Sequence, residues 1–350
     1  PRLRRRDPAA FRQQMAAAIR QSRAAKHERF YALLPLSVRG DRLAGVKVFE
    51  SLDVRFQVAT WKWVSARLAL DDWRTECTLN PRAFPFEQQQ FLPLVAEIWG
   101  RSNEDAFRRA EAGFDFLRAV LNMSAQFGMI TFQNGLPRPL GAVLAPPAYG
   151  VFRLDGTLIG AYLNPSTPRR YDAGALSEPQ VEWSRQQLRR WKPSAKSGGD
   201  IRNIIVDTVS RYGQAMETAD WREAFLMLWQ ALEILTTRQD EPFNMSIVCK
   251  RTAALFDNNE MIRDLIEALA GTRNALVHRG RFSANGLRVI NVLKWVVEQS
   301  VETLDAFSRR ARTSDWLWSF YAAAPMQERQ LKQQASIVNY LVRHLRRKNA

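Results

Sequence analysis

The chain has 350 residues, of which 46% are hydrophobic and 25% charged, as in folded proteins of two or three domains. No apolar run reaches the ~18–20 residues that span a bilayer. The two cysteines, Cys77 and Cys249, lie too far apart in the sequence to indicate a disulfide framework or a cysteine-based zinc site. The formal net charge is +16, and we expect a cytoplasmic protein without a membrane segment.

Positive charge is concentrated at the two ends of the chain and near its middle. Residues 1–30 contain nine basic and two acidic side chains, whereas residues 201–310 contain fourteen of each sign. Basic arms of this kind bind polyanions by releasing counterions, although solvated charge that keeps a protein soluble is the competing interpretation. We predict that RNA contacts three clusters: Arg4, Arg5 and Arg6; Arg189, Arg190 and Lys192; and Arg346, Arg347 and Lys348.

The first elements alternate between helical and strand patterns. Asp7-Pro8 combines an N-cap with a proline at the first helical position, which predicts a basic N-terminal helix to about Lys26. Apolar residues at every second position from Val46 to Val58, with Glu50 the exception, predict one long, half-buried strand. A further helix is predicted from Asn103 to just before Gly128.

A stretch rich in Gly and Pro follows between residues 129 and 168. Within it, Asp155-Gly156 lies between two apolar segments, Val151–Leu154 and Leu158–Tyr162, a pattern typical of a β-hairpin. Residues 1–190 are therefore predicted to form a mixed α+β region.

Helical periodicity dominates the C-terminal half, so the fold is predicted to be mainly α. Residues 191–200 have the composition of a linker and end at Asp200, a suitable cap for the next helix. Five amphipathic stripes then predict a helical bundle over residues 201–310. The stripes begin near Ile201, Trp221, Ile247, Asn259 and Leu287.

The last segment, residues 311–350, combines an aromatic cluster with a basic C-terminal helix begun by Pro325. Trp316 and Trp318 alternate with polar neighbours and could stack on nucleic-acid bases. Packing against the bundle is the competing interpretation, and the sequence leaves both open.

One motif carries chemistry: Arg273-Asn274-Ala275-Leu276-Val277-His278. An Arg followed by His after four to six residues is expected about once by chance in so arginine-rich a chain, and Arg20 and His27 form one such match. Requiring Asn directly after the Arg lowers the expectation to roughly 0.01–0.02. The motif also ends the fourth predicted helix, just before the stop signal Arg279-Gly280.

These residue types suit metal-free cleavage of RNA. Histidine is the side chain whose ordinary pKa allows proton transfer near neutral pH, and arginine offers planar donors to a charged phosphorane. Asn274 and His278 are four residues apart, so the amide can orient the imidazole. Arg273 lies about 140° from His278 around an ideal helix. A single straight helix therefore cannot direct both side chains at one phosphate.

The motif resembles that of the HEPN-superfamily ribonucleases. Residues 224–235, with Glu233 in a Leu-Glu pair, resemble the second helix of the Apea-like branch, and the resemblance covers residues 200–310. It implies a HEPN-like bundle and a metal-independent endoribonuclease, a toxin or phage-defence effector. His278 would be the general acid/base, Arg273 would stabilise the phosphorane, and Asn274 and Glu233 would support them.

The resemblance also implies partners. In this family two copies of the motif face each other across a two-fold axis, so a homodimer is expected, and a separate antitoxin or regulatory chain is conceivable. The alternative is a catalytically silent HEPN module that binds RNA or assembles a larger complex.

Several simpler interpretations remain open at this point. His278 could cap a helix or bond a carbonyl group, and Glu233 could be a surface acid paired with Arg222 or Arg238. No P-loop, His-Glu-x-x-His or Cys-x-x-Cys pattern occurs in the sequence. We therefore predict neither a metal nor a cofactor.

Overall fold

The computed structural model describes most of the chain between residues 27 and 339. The described ranges are 27–38, 46–78, 91–128, 140–163, 176–192, 200–238, 240–257, 259–282, 285–309, 313–324, 330 and 332–339. The chain divides into two compact units, one of Pro1–Leu121 with Ala142–Arg189 and one of Asn122–Gly141 with Arg190–Ala350. The predicted first helix, which ends near Lys26, lies outside the described residues.

The first unit is built on an antiparallel sheet of six strands. They are β1 (Glu28–Leu36), β2 (Val48–Ser51), β3 (Val54–Val58), β4 (Leu92–Gly100), β5 (Ala148–Arg153) and β6 (Leu158–Leu163). The strand order is β2-β3-β4-β1-β5-β6. The longest pairing aligns β1 with β4 from Glu28 opposite Gly100 to Leu36 opposite Leu92. The predicted mixed α+β character of this region is confirmed.

Helices cover the sheet on both faces. They are α1 (Trp61–Arg67), α2 (Leu70–Thr78), α3 (Asn103–Ala125) and α4 (Glu178–Arg190). On one face Val64 and Trp73 of the short helices pack in a core with Leu33 of β1. On the other face Phe114 of α3 contacts Phe56 of β3, with ring centroids 6.0 Å apart. Apolar side chains on alternate faces of the central strands account for both layers.

The segment from Val46 to Val58 forms two strands instead of the single predicted strand, so that prediction was wrong. β2 and β3 are antiparallel partners, with Ser51 opposite Val54, and the turn between them places Leu52 at φ 54°. Leucine seldom adopts this left-handed conformation, so the residues gave no turn signal. Burial falls on Phe49 and Ser51 in β2 but on Val54 and Phe56 in β3, so the turn shifts the alternation by one residue.

The predicted hairpin around Asp155-Gly156 is confirmed, with β5 and β6 as its strands. Gly156 has φ 90°, and a Cβ there would lie 2.1 Å from the carbonyl oxygen of Arg67. The Asp155 carboxylate accepts a hydrogen bond of 2.9 Å from the Thr157 amide. Glycine is therefore required at this turn for both its conformation and its small size.

In the described part of the second unit, the predicted bundle of five helices is followed directly by another helix. They are α5 (Ile201–Glu217), α6 (Trp221–Thr236), α7 (Met245–Ala253), α8 (Asn259–Arg279), α9 (Gly286–Ser308) and α10 (Ser314–Ala323). α6 packs against α5, α7, α8 and α9 and is the central helix. Its Phe225, Trp229 and Leu232 are buried, which agrees with the strongly amphipathic pattern. Asp200 caps α5, as predicted, by accepting a hydrogen bond from the Arg202 amide.

The aromatic segment after the bundle is helical and partly packed. Trp316 stacks on Phe320 and contacts Phe307 edge-on, with ring centroids 5.9 and 5.4 Å apart. Residues 332–339 are also helical, whereas Pro325 lies outside the described residues. None of the described helices is both long and apolar enough to cross a membrane.

Candidate functional site

The motif residues lie on the last two turns of α8. The helix continues without a break through the motif and ends at Arg279. Gly280 follows at φ 60°, with its amide bonded to the Leu276 carbonyl and the Arg281 amide bonded to the Ala275 carbonyl. This is the hydrogen-bonding pattern of a glycine C-cap, so the predicted helix end is confirmed.

His278 and Asn274 lie on the same exposed face of α8. The imidazole makes no hydrogen bond or ion pair with any residue that the structure describes, and the same holds for the Asn274 amide. The pairing in which Asn274 orients the imidazole is therefore not formed in this single chain. His278 is accessible to a ligand.

Arg273 is half-buried on a different side of the helix. Its guanidinium lies over the Phe243 ring, 5.4 Å from the centroid, a cation–π contact that holds the side chain in place. Glu233 of α6 is close enough to interact electrostatically with Arg273. The structure thus brings Arg273 and Glu233 together, while four residues of continuous helix separate Arg273 from His278.

The environment of Glu233 has two opposing effects on its carboxyl group. Partial burial raises the pKa of Glu233, whereas the Trp229 indole and the Arg273 guanidinium lower it in part. The alternative partner Arg238 forms an ion pair with Asp240 at 3.1 Å. Glu233 therefore interacts with the motif arginine, whereas the ion pair of Arg238 is with Asp240.

Glu233 also lines a groove of about 670 Å³ between α5, α6 and α10. Asp207 lies in the same groove, and partial burial raises the pKa of its carboxyl group. Trp318 forms part of the wall, and Trp316 is 38% exposed although it contacts Phe307 and Phe320, so both tryptophans remain candidates for stacking. His278 is not among the residues that line this groove.

A basic turn connects α8 to α9, and no sequence motif marks it. Arg279, Arg281 and Arg288 are exposed and form no ion pair with the described residues. Between Glu267 and Glu298 the sequence contains no acidic residue at all. Because residues 201–310 have no net charge as a whole, their total does not reveal this local excess of positive charge. Counting charges over a shorter stretch of the sequence does reveal it. Beside His278 the surface is therefore strongly cationic.

The residues of the predicted basic clusters differ in their surroundings. Arg189 and Lys192 are exposed. Arg190 forms an ion pair of 2.6 Å with Asp305, which is 6% exposed, and the Trp191 indole donates to the same carboxylate. Arg190 thus also takes part in the packing of the second unit, and its role in binding nucleic acid stays a prediction. The terminal clusters around Arg5 and Arg347 lie outside the described residues.

No group of three or more His, Cys, Asp or Glu side chains in the described part of the chain is arranged to hold a metal ion. Comparison with known proteins found no match of this chain to a family model, to a curated protein or to a solved structure.

Proposed function

We propose that this chain is a metal-independent endoribonuclease of the HEPN type, acting as a homodimer. His278 is the general acid/base, Arg273 stabilises the charge on the phosphorane, and Asn274 and Glu233 position these two groups. The proposal rests on the resemblance of residues 200–310 to that family and on the surroundings of the motif. It includes the role of a toxin or defence effector that the resemblance implies.

The observation that carries the proposal is the combination of an accessible imidazole with unneutralised arginines. His278 has no protein partner among the described residues, and it is followed at once by the basic turn of Arg279, Arg281 and Arg288. A histidine with only a structural role would bond a carbonyl or carboxylate group in the fold. An RNA strand supplies the anionic phosphates that this surface lacks.

The reaction needs no group beyond these side chains. The imidazole of one His278 removes the proton from a ribose 2′-hydroxyl, and the 2′-oxygen forms a bond to the adjacent phosphorus. The bond from phosphorus to the 5′-oxygen breaks, and that oxygen takes a proton from a second, protonated imidazole. The products are a 2′,3′-cyclic phosphate and a 5′-hydroxyl end. Arg273 stabilises the additional negative charge of the phosphorane by hydrogen bonding.

A homodimer resolves the geometry of the motif. In one chain the uninterrupted α8 directs Arg273 and His278 about 140° apart. Two copies of α8 around a two-fold axis place two imidazoles and two guanidinium groups around one phosphate. The His278 side of α8 suits a close approach, because Ala268 and Gly271 are exposed and a Cβ on Gly271 would meet no atom within 4 Å.

The alternative function is that of a catalytically silent HEPN module that binds RNA or assembles a complex. The absence of a hydrogen bond between Asn274 and His278 within the described chain favours it, since an active site usually orients its base. Both functions predict RNA binding by the basic turn. Only the first predicts that the RNA is cut.

The deciding experiment incubates purified full-length protein with labelled RNA in EDTA, with the His278→Ala variant beside it. The wild-type protein should cleave and the variant should not, while both bind the RNA. Binding without cleavage by the wild-type dimer would favour the silent module.

A further inference from the structure

Three arginines of the first unit converge on a small cavity. The cavity has a volume of about 160 Å³ and is lined by Val48, Phe49, Glu50, Arg55, Arg185, Leu188 and Arg189. β2 and β3 supply one wall, and the last turns of α4 supply the other. Residues far apart in the sequence are thus brought together by the fold into one concave basic site.

Among the described residues, the three arginines around the cavity face two carboxylates, Glu50 and Glu182, so positive charge is in excess. Arg185 is paired with Glu182 at 3.1 Å. Arg55 and Arg189 form no ion pair with the described residues. Glu50 lies opposite Arg55 in the strand register, yet the two side chains do not form an ion pair. Like charges held together without counter-charges repel one another, and a bound anion removes that repulsion.

The floor of the cavity strengthens its attraction for an anion. Phe49 and Leu188 are each 1% exposed and form an apolar base beneath the charged side chains. Apolar walls lower the local dielectric constant, so a charge placed between the arginines interacts with them more strongly than in open water. The arrangement favours a ligand that inserts one compact anionic group.

The size and donor geometry identify the group. A volume of 160 Å³ is about five times the ~30 Å³ share of one water molecule, enough for a tetrahedral oxyanion and some water. Arginine presents planar forks of donors that match phosphate oxygens. A terminal phosphate has three free oxygens and a charge of about −1.5 to −2 near pH 7. A carboxylate and an internal phosphodiester each have only two free oxygens and one negative charge, fewer than a terminal phosphate.

We propose that the cavity between Arg55, Arg185 and Arg189 binds a terminal phosphate group, namely the phosphorylated 5′ end of an RNA strand. Only the identity of the strand as RNA rests on the proposed function; recognition of the phosphate follows from the cavity itself. The first unit then selects or anchors RNA by its end, a role independent of the cleavage chemistry of α8.

The test measures binding by calorimetry with full-length His278→Ala protein, so that cleavage does not interfere. The probes are inorganic phosphate, succinate, and one oligoribonucleotide with either a 5′-phosphate or a 5′-hydroxyl end. Phosphate should bind and succinate should not, and the 5′-phosphate should tighten oligonucleotide binding by about tenfold or more. Arg55→Ala and Arg189→Ala should each remove that preference, whereas Arg189→Lys should retain part of it.

Two further variants make the test specific. Arg101→Ala removes an exposed arginine of the same unit that lies outside the cavity, and it should leave the end preference unchanged. Glu50→Gln removes the one acidic group in the lining and should tighten phosphate binding, which no loss of folding could produce. Equal affinity for the two RNA ends, equal losses in Arg101→Ala, or equal binding of succinate would overturn the proposal. Cleavage by the wild-type protein is measured separately, so either proposal can fail without the other.

Discussion

Lys294 and Glu298 form a fully buried ion pair one turn apart on α9, with Nζ and Oε1 separated by 2.6 Å. The Tyr212 hydroxyl donates to Oε1 at 2.6 Å, the Gly128 amide donates to Oε2 at 2.9 Å, and Nζ also donates to the Gln126 carbonyl. Burial lowers the pKa of Lys294, and the Glu298 carboxylate offsets part of that effect. The cluster joins α5, α9 and residues 126–128 within the second unit.

Replacing one partner of this pair should destabilise the second unit strongly. Lys294→Met leaves the Glu298 carboxylate buried with hydrogen bonds but without its counter-charge, which costs about 3–5 kcal/mol. Chemical denaturation followed by circular dichroism and by hydrogen exchange in α9 measures the loss.

The double variant Lys294→Met/Glu298→Leu is the informative comparison, because it removes both charges. It should recover much of the lost free energy of unfolding. The exposed pair of Arg263 and Glu267 has the same spacing on α8, and Arg263→Ala should leave the free energy of unfolding nearly unchanged. A double variant less stable than Lys294→Met would show that the pair is not the source of the stability.

The effect of Glu233 on stability should depend on pH. Its pKa in the folded protein lies above the ordinary value of 4.5, chiefly because of burial. The folded state therefore holds the proton more tightly than the unfolded state, and the wild-type protein loses stability as the pH rises from 4.5 through the folded pKa.

Glu233→Gln, an uncharged side chain of the same size, should match the wild-type stability near pH 4 and exceed it at pH 7. Thermal unfolding across this range measures the difference. The matched control is Glu223→Gln, which lies exposed on the same helix. A Glu233→Gln curve parallel to that of the wild type would contradict the burial effect.

Local signals in the sequence predicted the parts of the fold that depend on neighbouring residues. Arg279-Gly280 ends α8 where expected, because a glycine cap depends on one residue and its helix. The turn at Leu52 was missed, since its left-handed backbone is imposed by pairing of β2 with β3. Lys294 and Glu298 were not predicted to be buried, because two charged residues at helical spacing ordinarily face solvent.

For the site, too, the sequence predicted the features that depend on residues close together in the chain. The motif residues follow from spacing along one helix, whereas the proximity of Glu233 to Arg273 depends on how α6 packs on α8. From the sequence, Arg190 is expected to be a solvent-exposed cation within a basic run. Only its contact with Asp305, 115 residues away, reveals a packing role. Such long-range pairs require the tertiary structure.

Cleavage should fail when either motif side chain is removed. His278→Ala and Arg273→Ala should each lower the cleavage rate by at least about a hundredfold, while far-UV circular dichroism and RNA affinity change little. Products should end in a 2′,3′-cyclic or 3′-phosphate, detectable by mass spectrometry. Activity lost on chelation of metal ions would exclude the metal-free mechanism.

Binding of RNA should depend on salt through the basic turn. Replacing Arg279, Arg281 and Arg288 together by Ala should weaken binding at low salt and flatten the dependence of affinity on salt by about two to three units of slope. The matched control replaces Arg222, which is exposed at the start of α6. Deleting the terminal clusters Arg2–Arg6 and Arg343–Lys348 should have a separate, additive effect. Unchanged affinity after either change would assign that cluster to solubility.

The last prediction concerns assembly and uses Gly271 of α8. Since a side chain at Gly271 would enter open space in the single chain, Gly271→Ala should fold normally and stabilise the helix by about 0.5–1 kcal/mol. Gly271→Arg also fits the single chain, but it projects a long charged group from the face that two α8 helices would share. We therefore expect light scattering to report a dimer for the wild type and Gly271→Ala, and an inactive monomer for Gly271→Arg.

Mixing Arg273→Ala with His278→Ala subunits should restore partial cleavage, because a shared site then retains one intact copy of each group. A wild-type monomer that cleaves RNA, or an active Gly271→Arg monomer, would rule out the composite site.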